Sequence, residues 1–345
     1  MKFLKVIASY LYRSVIAVRH WCYDMGIFRK QTFDLPVVCV GNITVGGTGK
    51  TPVVEYLIRH LSPYYRVAVL SRGYGRKTKG YLVVEPGMSF LRSGDEPKQI
   101  KRKFPAVPVV VCEDRVEGVR RIHEEFPEVE MVIMDDGFQH RSITPKVNIV
   151  LVDYTRPVKE DHYLPWGSLR DNPSQFYRAN IFLVTKTPDD LKPIDRNITR
   201  EDINIRPYQS IYFTNTRSGD IRPLFPDVAI PAPDGCRVVA LAGVAHPKPF
   251  LATLKRHYEV LDTLIYADHY AYKVRDVARI AEELDRLGED VVVVTTEKDA
   301  VKLTNRKRVP ASLQKRLYVM PVYINFRDMD DEKFIQNIIN DVKQN

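Results

Sequence analysis

The chain has 345 residues, 44% hydrophobic and 28% charged, which is enough for one large α/β domain with an appendage or for two smaller domains. Its formal net charge of +9 predicts an anionic partner, such as a nucleotide, a nucleic acid or an acidic lipid surface. The four cysteines are scattered, which argues against a disulfide framework or a zinc site and favours a reducing cytoplasm. No apolar run reaches the roughly 20 residues that a spanning helix needs, which argues against a membrane span.

The segment 1–34 predicts a basic amphipathic helix. One face at helical spacing consists of Leu4, Ile7, Leu11, Val15 and Val18. Lys5, Arg13 and Arg19 lie outside that face, and Arg13 interrupts the apolar run in a way that a signal peptide does not. The pattern is typical of a membrane-associating interfacial helix, and an ordinary helix packed on the domain is the alternative.

Short apolar runs then alternate with helical or loop segments, which predicts a parallel sheet covered on both faces. The predicted strands are 35–40, 67–70, 107–112, 129–134, 147–152 and 181–184, with a helix over 51–61. Four prolines at 222–236 predict a stiff connector, so we divide the chain into a core over 35–225 and a smaller α/β subdomain over 226–345. The second unit contains predicted strands at 238–241 and 291–295 and helices near 250–256 and 274–287; a last helix over 331–342 could pack on either unit.

The stretch GNITVGGTGKTP, residues 41–52, lies between a predicted strand and a predicted helix and contains the phosphate-binding end of a Walker A loop. Backbone N–H groups of such a loop surround phosphate oxygens, Lys50 reaches the β and γ oxygens, and the Thr51 hydroxyl is offered to Mg²⁺. The predicted nucleotide-binding residues are Gly46, Gly47, Thr48, Gly49, Lys50 and Thr51. One departure is Thr44, which stands where the standard spacing has glycine.

Asp135 and Asp136 end an apolar strand, at the position of a Walker B carboxylate that holds magnesium. Two adjacent carboxylates repel each other unless a cation joins them, which favours a metal over a simple turn. Two further polar loops, 71–76 with Arg72 and 93–97 with Asp95, offer an arginine that can stabilise phosphoryl charge and a carboxylate that can accept a proton from a hydroxyl.

The ordered set of motifs is similar to that of the tetraacyldisaccharide 4′-kinases of lipid A synthesis. It comprises the loop at 41–52, LSRGYGR, GDEP, MDDGFQH, LPWGSLRD, LAGVAHPKPF, ADHYAY and TTEKDAVKL. The resemblance covers nearly the whole chain, and the family loop is also atypical at Thr44. It implies a P-loop NTPase-type three-layer α/β/α core with a second smaller α/β subdomain, Mg-ATP bound between them, and phosphorylation of the 4′-hydroxyl of tetraacyldisaccharide 1-phosphate to lipid IV-A.

The resemblance also implies roles for individual residues. Asp95 matches the general base, His269 its partner, and Arg170 an arginine near the transferred phosphate. Magnesium and active-site positions match Asp135, Asp136, Glu96, Gln139 and His140, and positions lining the nucleotide cleft match Glu297, Lys298 and Asp299. Asp171 stands where the family pattern commonly has glutamate, so its role is left open, and His246 competes with His269.

A P-loop kinase of a soluble metabolite and a nucleotide-driven switch or metallochaperone are the alternative functions. The cysteines form no metal motif, and Thr185-Lys186-Thr187-Pro188 only faintly resembles a guanine-reading loop. No nucleic-acid-binding module is recognisable, so we expect no nucleic acid partner. We expect a monomer bound peripherally to the anionic cytoplasmic face of the inner membrane, where the lipid substrate lies.

Overall fold

The computed structural model describes residues 2–230 and 235–344. In chain order, the helices are α1 (Lys2–Asp24), α2 (Lys50–Leu61), α3 (Phe90–Ser93), α4 (Asp95–Lys103), α5 (Arg115–Glu125), α6 (Pro193–Ile203), α7 (Lys248–His257), α8 (Val274–Leu287), α9 (Glu297–Ala300), α10 (Ala311–Arg316) and α11 (Asp331–Lys343). The strands are β1 (Val37–Asn42), β2 (Val67–Ser71), β3 (Leu82–Val83), β4 (Val109–Val111), β5 (Met131–Asp135), β6 (Val147–Asp153), β7 (Ile181–Thr185), β8 (Ser210–Ser218), β9 (Arg222–Pro223), β10 (Arg237–Ala242), β11 (Glu259–Ile265), β12 (Val292–Thr296), β13 (Leu317–Met320) and β14 (Val322–Phe326).

The larger sheet has the strand order β14-β8-β7-β6-β1-β5-β2-β4-β3 and is parallel from β8 to β4. Every residue of β1, β2, β5, β6 and β7 is buried, because helices cover both faces and apolar runs are needed on both. Alternate residues of β1 enter two separate cores: Val37 and Cys39 face the core that contains α5, whereas Val38 and Val40 face the core that contains α2 and α11. This confirms the predicted P-loop-type α/β/α class, with antiparallel β3 and β14 at the edges as an addition.

The smaller sheet has the order β11-β10-β12-β13-β9, with β9 antiparallel to β13. Helices α8 and α10 supply Ile280, Leu284 and Leu313 to the core on one face, and α7 supplies Phe250 and Leu254 to the core on the other. The smaller unit is therefore also built from a sheet with helices on both sides.

The C-terminal elements return to the larger sheet. β14 pairs with β8, and Phe334 and Ile338 of α11 are fully buried in the core that covers β6. Leu224 and Phe225, in contrast, belong to the core of the smaller sheet. The structure thus answers where the last helix packs, whereas the division into 1–34, 35–225 and 226–345 as folding units stays a prediction.

Helix α1 turns its apolar face away from the body of the protein. Leu4 is 70% exposed and Leu11 is 66% exposed, whereas Ser9 and His20 on the opposite side are buried. No helix in the described ranges combines the length and the apolarity that crossing a bilayer requires. Membrane association of segment 1–34 stays a prediction.

Candidate active site

The glycine-rich loop joins the end of the central strand β1 to the start of α2. Gly49 has φ 91°, a left-handed conformation that favours glycine, and it allows the helix to begin directly at Lys50. The Lys50 ammonium donates to Asn42 Oδ1 at 3.1 Å and lies 3.5 Å from Asp136 Oδ1. Burial lowers the pKa of Lys50, and the charge of Asp136 opposes this effect. The predicted Walker lysine therefore faces the predicted Walker aspartates.

Asn42 organises the loop and was not predicted. Its side-chain amide is fully buried and donates to the Thr44 carbonyl at 2.8 Å and to the Thr48 hydroxyl at 3.0 Å. The Thr48 carbonyl in turn accepts a hydrogen bond from the Thr185 hydroxyl. Thr44 and Thr48 therefore help to fix the shape of the loop. The burial of Asn42 is not visible in the sequence, so no signal there identifies this residue.

The two adjacent aspartates differ in their surroundings. Asp136, with φ 53°, forms a two-oxygen contact with the Arg170 guanidinium, in which Nη1 lies 2.9 Å from Oδ2. Burial alone would raise the pKa of Asp136, but the hydrogen bond from Arg170 and the charge of Lys50 hold the pKa well below its usual range. Asp135 accepts a hydrogen bond from Ser71 at 3.2 Å, and burial together with the charge of Asp136 raises the pKa of Asp135 to about 6.

A cavity of about 390 Å³ opens beside these groups. The predicted site residues that line it are Arg72, Asp136, Gln139, His140 and Arg170. Tyr12, Ile16, Arg19, Glu113 and Arg115 also line it and were not predicted. Four arginines against two acids make this cavity suited to an anionic ligand. Burial lowers the pKa of His140 to about 4, so this side chain is a neutral imidazole at neutral pH.

Asp95 begins α4 and meets two cationic or ionisable groups from the smaller unit. His269 Nδ1 lies 3.0 Å and Lys302 Nζ 3.5 Å from Asp95 Oδ2. The hydrogen bond with Asp95 raises the pKa of His269. His246, the competing histidine, is exposed beside the start of α7. The structure thus pairs Asp95 with His269, as the resemblance implied, and adds Lys302.

The residues predicted to line the nucleotide cleft from the smaller unit make contacts with α4 and with their own sheet. Lys298 Nζ lies 2.7 Å from Glu96, and Lys103 contacts both Glu297 and Glu55. Burial would raise the pKa of Glu96, but Lys298 lowers it. Asp299 is fully buried, accepting from the Gly243 N–H at 2.8 Å. Glu297 and Lys298 therefore join the two units across the site, whereas Asp299 contacts its own unit.

The residues predicted to hold magnesium form no dense ligand cluster. Within residues 2–230 and 235–344, no group of three or more His, Cys, Asp or Glu side chains has the arrangement of a metal site. Mg²⁺ bound with nucleotide phosphates, however, needs only one or two carboxylates, because phosphate oxygens and water complete its shell. Asp135 fits this requirement as a buried carboxylate whose charge is poorly compensated.

A larger cavity, of about 650 Å³, lies beside His257 and Tyr318 and shares no lining residue with the site. Ile230 and Gly235 are among its lining residues. Its lining contains no cluster of the predicted catalytic groups, so the smaller cavity is the candidate active site.

Comparison with known proteins decides the family. The family model described as tetraacyldisaccharide-1-P 4′-kinase matches residues 1–343. The chain belongs to the tetraacyldisaccharide-1-P 4′-kinase family. Tetraacyldisaccharide 4′-kinase of Bacteroides thetaiotaomicron is 39% identical over 98% of this chain and 92% of that protein, and the Porphyromonas gingivalis enzyme of the same name is 39% identical over 98% and 96%.

A solved structure of the family has the same fold. The crystal structure of the "apo" form of LpxK from Aquifex aeolicus in complex with ATP superposes with a TM-score of 0.75 at 27% identity, over 98% of each chain. Membership confirms the predicted resemblance and the predicted class of activity, an ATP-dependent kinase of lipid A biosynthesis.

Proposed function

We propose that the P-loop binds ATP, that the cavity beside α1 takes the phosphorylated disaccharide headgroup, and that the γ-phosphoryl passes to the 4′-hydroxyl of tetraacyldisaccharide 1-phosphate. The observation that carries this proposal is the convergence of Lys50 and Arg170 on Asp136 at the edge of the cavity. Two cations at the junction of a Walker loop and an anion-suited cavity supply the charge that a transferring phosphoryl group requires.

ATP binding is assigned to the backbone of Gly46, Gly47 and Gly49 and to the side chains of Lys50 and Thr51. Glycine at position 49 gives the turn that aims the first N–H groups of α2 at a phosphate, where the helix end adds positive potential. Lys50 exchanges its present contacts with Asn42 and Asp136 for phosphate oxygens. Glu297 and Lys298 support this site from the smaller unit by contacting α4, and Asp299 supports it through Lys302, which contacts Asp95.

Magnesium is assigned to Asp135 and the Thr51 hydroxyl. Asp136 forms an ion pair with Arg170, whereas Asp135 accepts a hydrogen bond from Ser71 and forms no ion pair with any of the residues that the structure describes. When bound, Mg²⁺ neutralises charge on the phosphate oxygens of the nucleotide. Glu96 is bound to Lys298, so we assign it to orienting α4 next to Asp95.

We assign Asp95 as the base that accepts the proton of the attacking hydroxyl. Its position at the first residue of α4 fixes the carboxylate on a rigid element, and His269 and Lys302 of the smaller unit orient its Oδ2. His269 is assigned the role of orienting this carboxylate. Arg170 and Lys50 stay on the phosphoryl side, so that proton acceptance and charge neutralisation are performed by separate groups.

The exposed apolar face of α1 supports binding to an anionic membrane surface. The cavity is lined by Tyr12, Ile16 and Arg19 from the same helix, so the headgroup site lies against the element that carries the exposed Leu4 and Leu11. We assign the enzyme to the cytoplasmic face of the inner membrane as a peripheral monomer.

The proposal is tested by incubating the purified protein with γ-labelled Mg-ATP and tetraacyldisaccharide 1-phosphate in mixed micelles. We expect the wild type to transfer label to the lipid. We expect Asp95→Asn, which keeps the side chain's shape and removes the base, to transfer none. Asp190→Ala, at an exposed position, is the matched control and keeps wild-type transfer. ATP consumption by the wild type without labelled lipid contradicts the proposal.

A further inference from the structure

Helix α1 is joined to the rest of the protein mainly through polar side chains. Of the α1 side chains that the structure describes, Ser9 and His20 are the two that are buried, each 4% exposed. The Ser9 hydroxyl donates to the Tyr163 carbonyl at 2.8 Å. The position of α1 is therefore specified by directional hydrogen bonds, which fix a geometry more sharply than apolar contact does.

Two of these hydrogen bonds end on the backbone of candidate active-site residues. The Tyr12 hydroxyl donates to the Arg170 carbonyl at 3.2 Å, and Arg19 Nη2 donates to the Gln139 carbonyl at 2.9 Å. Arg170 and Gln139 both line the cavity. The helix thus holds the stretches of backbone from which these two side chains project.

The deepest contact joins His20 to Asp171, the residue that follows Arg170. His20 Nε2 lies 2.5 Å from Asp171 Oδ1, and Asp171 is 1% exposed. Arg141 Nη1 lies 3.0 Å from His20 Nδ1. Because a guanidinium can only donate, Nδ1 must accept, and the imidazole therefore donates its Nε2 proton to Asp171. The two contacts together require the tautomer of His20 in which Nε2 carries the proton and Nδ1 is the acceptor.

Asp171 also connects to the cavity through its second oxygen. Gln139 Nε2 lies 3.4 Å from Asp171 Oδ2 and donates to the Asn42 carbonyl at 2.7 Å. The side chain of Arg178 lies 3.7 Å from the same carboxylate. A chain of polar contacts therefore runs from His20 through Asp171 to Gln139 and the end of β1.

We infer that His20 is a positioning residue for phosphoryl transfer and that α1 is part of the catalytic framework as well as a membrane-facing element. His20 acts through Asp171, which fixes the backbone at 170–171 so that Arg170 meets Asp136. His20 is absent from the cavity lining, whereas Arg170 belongs to it. The inference rests on the proposed function, because it assigns α1 a role in that same reaction.

The test compares four proteins in the mixed-micelle transfer assay: the wild type, His20→Leu, His20→Gln and Ser14→Ala. His20→Leu fills the space but removes both hydrogen bonds, and we expect kcat to fall roughly 10- to 100-fold, the loss that a small misplacement of a catalytic group produces. KM for the lipid and co-sedimentation with anionic phospholipid vesicles are expected to stay at wild-type values. His20→Gln offers an amide donor to Asp171 and an acceptor to Arg141, and it is expected to recover most of the lost kcat.

Ser14 is exposed on the same helix, and its hydroxyl bonds within the helix, so Ser14→Ala is expected to keep wild-type kcat. An active wild type with unchanged kcat in His20→Leu overturns the inference alone. If His20→Leu loses vesicle binding and raises KM for the lipid without lowering kcat, the inference is also overturned, because α1 would then act only as a membrane anchor. A wild type that transfers no phosphate removes the proposed function and the inference together.

Should His20→Leu be too unstable to purify, His20→Asn replaces it, since its shorter amide stays polar but reaches Asp171 less well. The comparison of His20→Asn with His20→Gln then decides in the same way. A kcat that falls for Asn and is retained for Gln supports the positioning role, and equal kcat values for the two overturn it.

Discussion

Lys302, on the smaller unit, holds its ammonium 3.5 Å from the carboxylate of Asp95 on the larger unit. The same ammonium lies 3.2 Å from Asp299, and the Lys302 side chain is only 1% exposed. One buried cation is therefore shared between the proposed base and a buried acid of the neighbouring sheet. The charge environment of Asp95 depends on contact between the two units.

Replacing Lys302 should impair both stability and catalysis. Lys302→Met leaves two buried carboxylates without their shared cation, and breaking such a buried pair destabilises a protein by about 3 kcal/mol. We expect a lower urea midpoint and a kcat reduced roughly 10-fold or more by misorientation of Asp95. Lys307→Met, at an exposed position nearby in the chain, serves as the control, and wild-type stability in Lys302→Met would contradict this account.

The contact between Arg170 and Asp136 depends on the planar guanidinium. Arg170→Lys keeps the charge but loses the two-oxygen contact with Asp136, so we expect kcat in the transfer assay to fall about 100-fold. The exposed Arg200→Lys is the matched control. A lysine variant with wild-type kcat would show that charge alone suffices at this position.

The two aspartates should respond differently to magnesium. Asp135→Asn removes the carboxylate assigned to the metal, and we expect the Mg²⁺ concentration for half-maximal activity to rise roughly 10- to 100-fold. Asp136→Asn weakens the contacts of Arg170 and Lys50, so its main effect should be on kcat at saturating Mg²⁺. Magnesium titrations of the two variants check this prediction, and a reversed pattern would move the metal assignment to Asp136.

The contact between His269 and Asp95 should make stability depend on pH. The hydrogen bond raises the folded-state pKa of His269, so the imidazolium form is favoured in the folded protein. The stabilisation is fully present below the ordinary histidine pKa of about 6.5 and is lost as pH rises through the raised folded-state pKa. The difference in thermal midpoint between wild type and His269→Ala should therefore be largest near pH 6 and smaller at alkaline pH.

The measurement is a series of thermal unfolding curves between about pH 5.5 and 9 at constant ionic strength. His257→Ala, which removes an exposed imidazole at the end of α7, is run in parallel. A difference between wild type and His269→Ala that grows toward alkaline pH has the wrong sign for this mechanism.

Most central strands could be predicted from the sequence because burial on both faces demands continuous apolar runs. The predicted strand 147–152 corresponds to Val147–Asp153, and 181–184 to Ile181–Thr185. The edge strands β3 and β14 were missed because β3 has only two residues and β14 is half-buried throughout, with a proline directly before it and Asn325 within it. The pairing of β14 with β8 joins segments about a hundred residues apart, which no local pattern encodes.

The candidate site likewise contains residues that the sequence predicts and residues that only the structure reveals. Lys50, Asp135 and Asp136 are tied to a strand end or a glycine loop, so local motifs predict them. Asn42 and His20 act through contacts that depend on the fold, and a buried amide or imidazole has no sequence pattern of its own. The contact of His20 with Asp171 spans 151 positions and becomes evident only from the structure.

The return of β14 and α11 to the larger sheet has a consequence for synthesis on the ribosome. Until these last elements emerge, β8 is an unpaired sheet edge and the surface that receives Phe334 and Ile338 is open to water. The larger sheet, though begun by β1, can be completed only after the smaller one has been translated. The larger sheet therefore stays incomplete through most of the elongation of the nascent chain. A chain truncated before Val322 is expected to aggregate during expression.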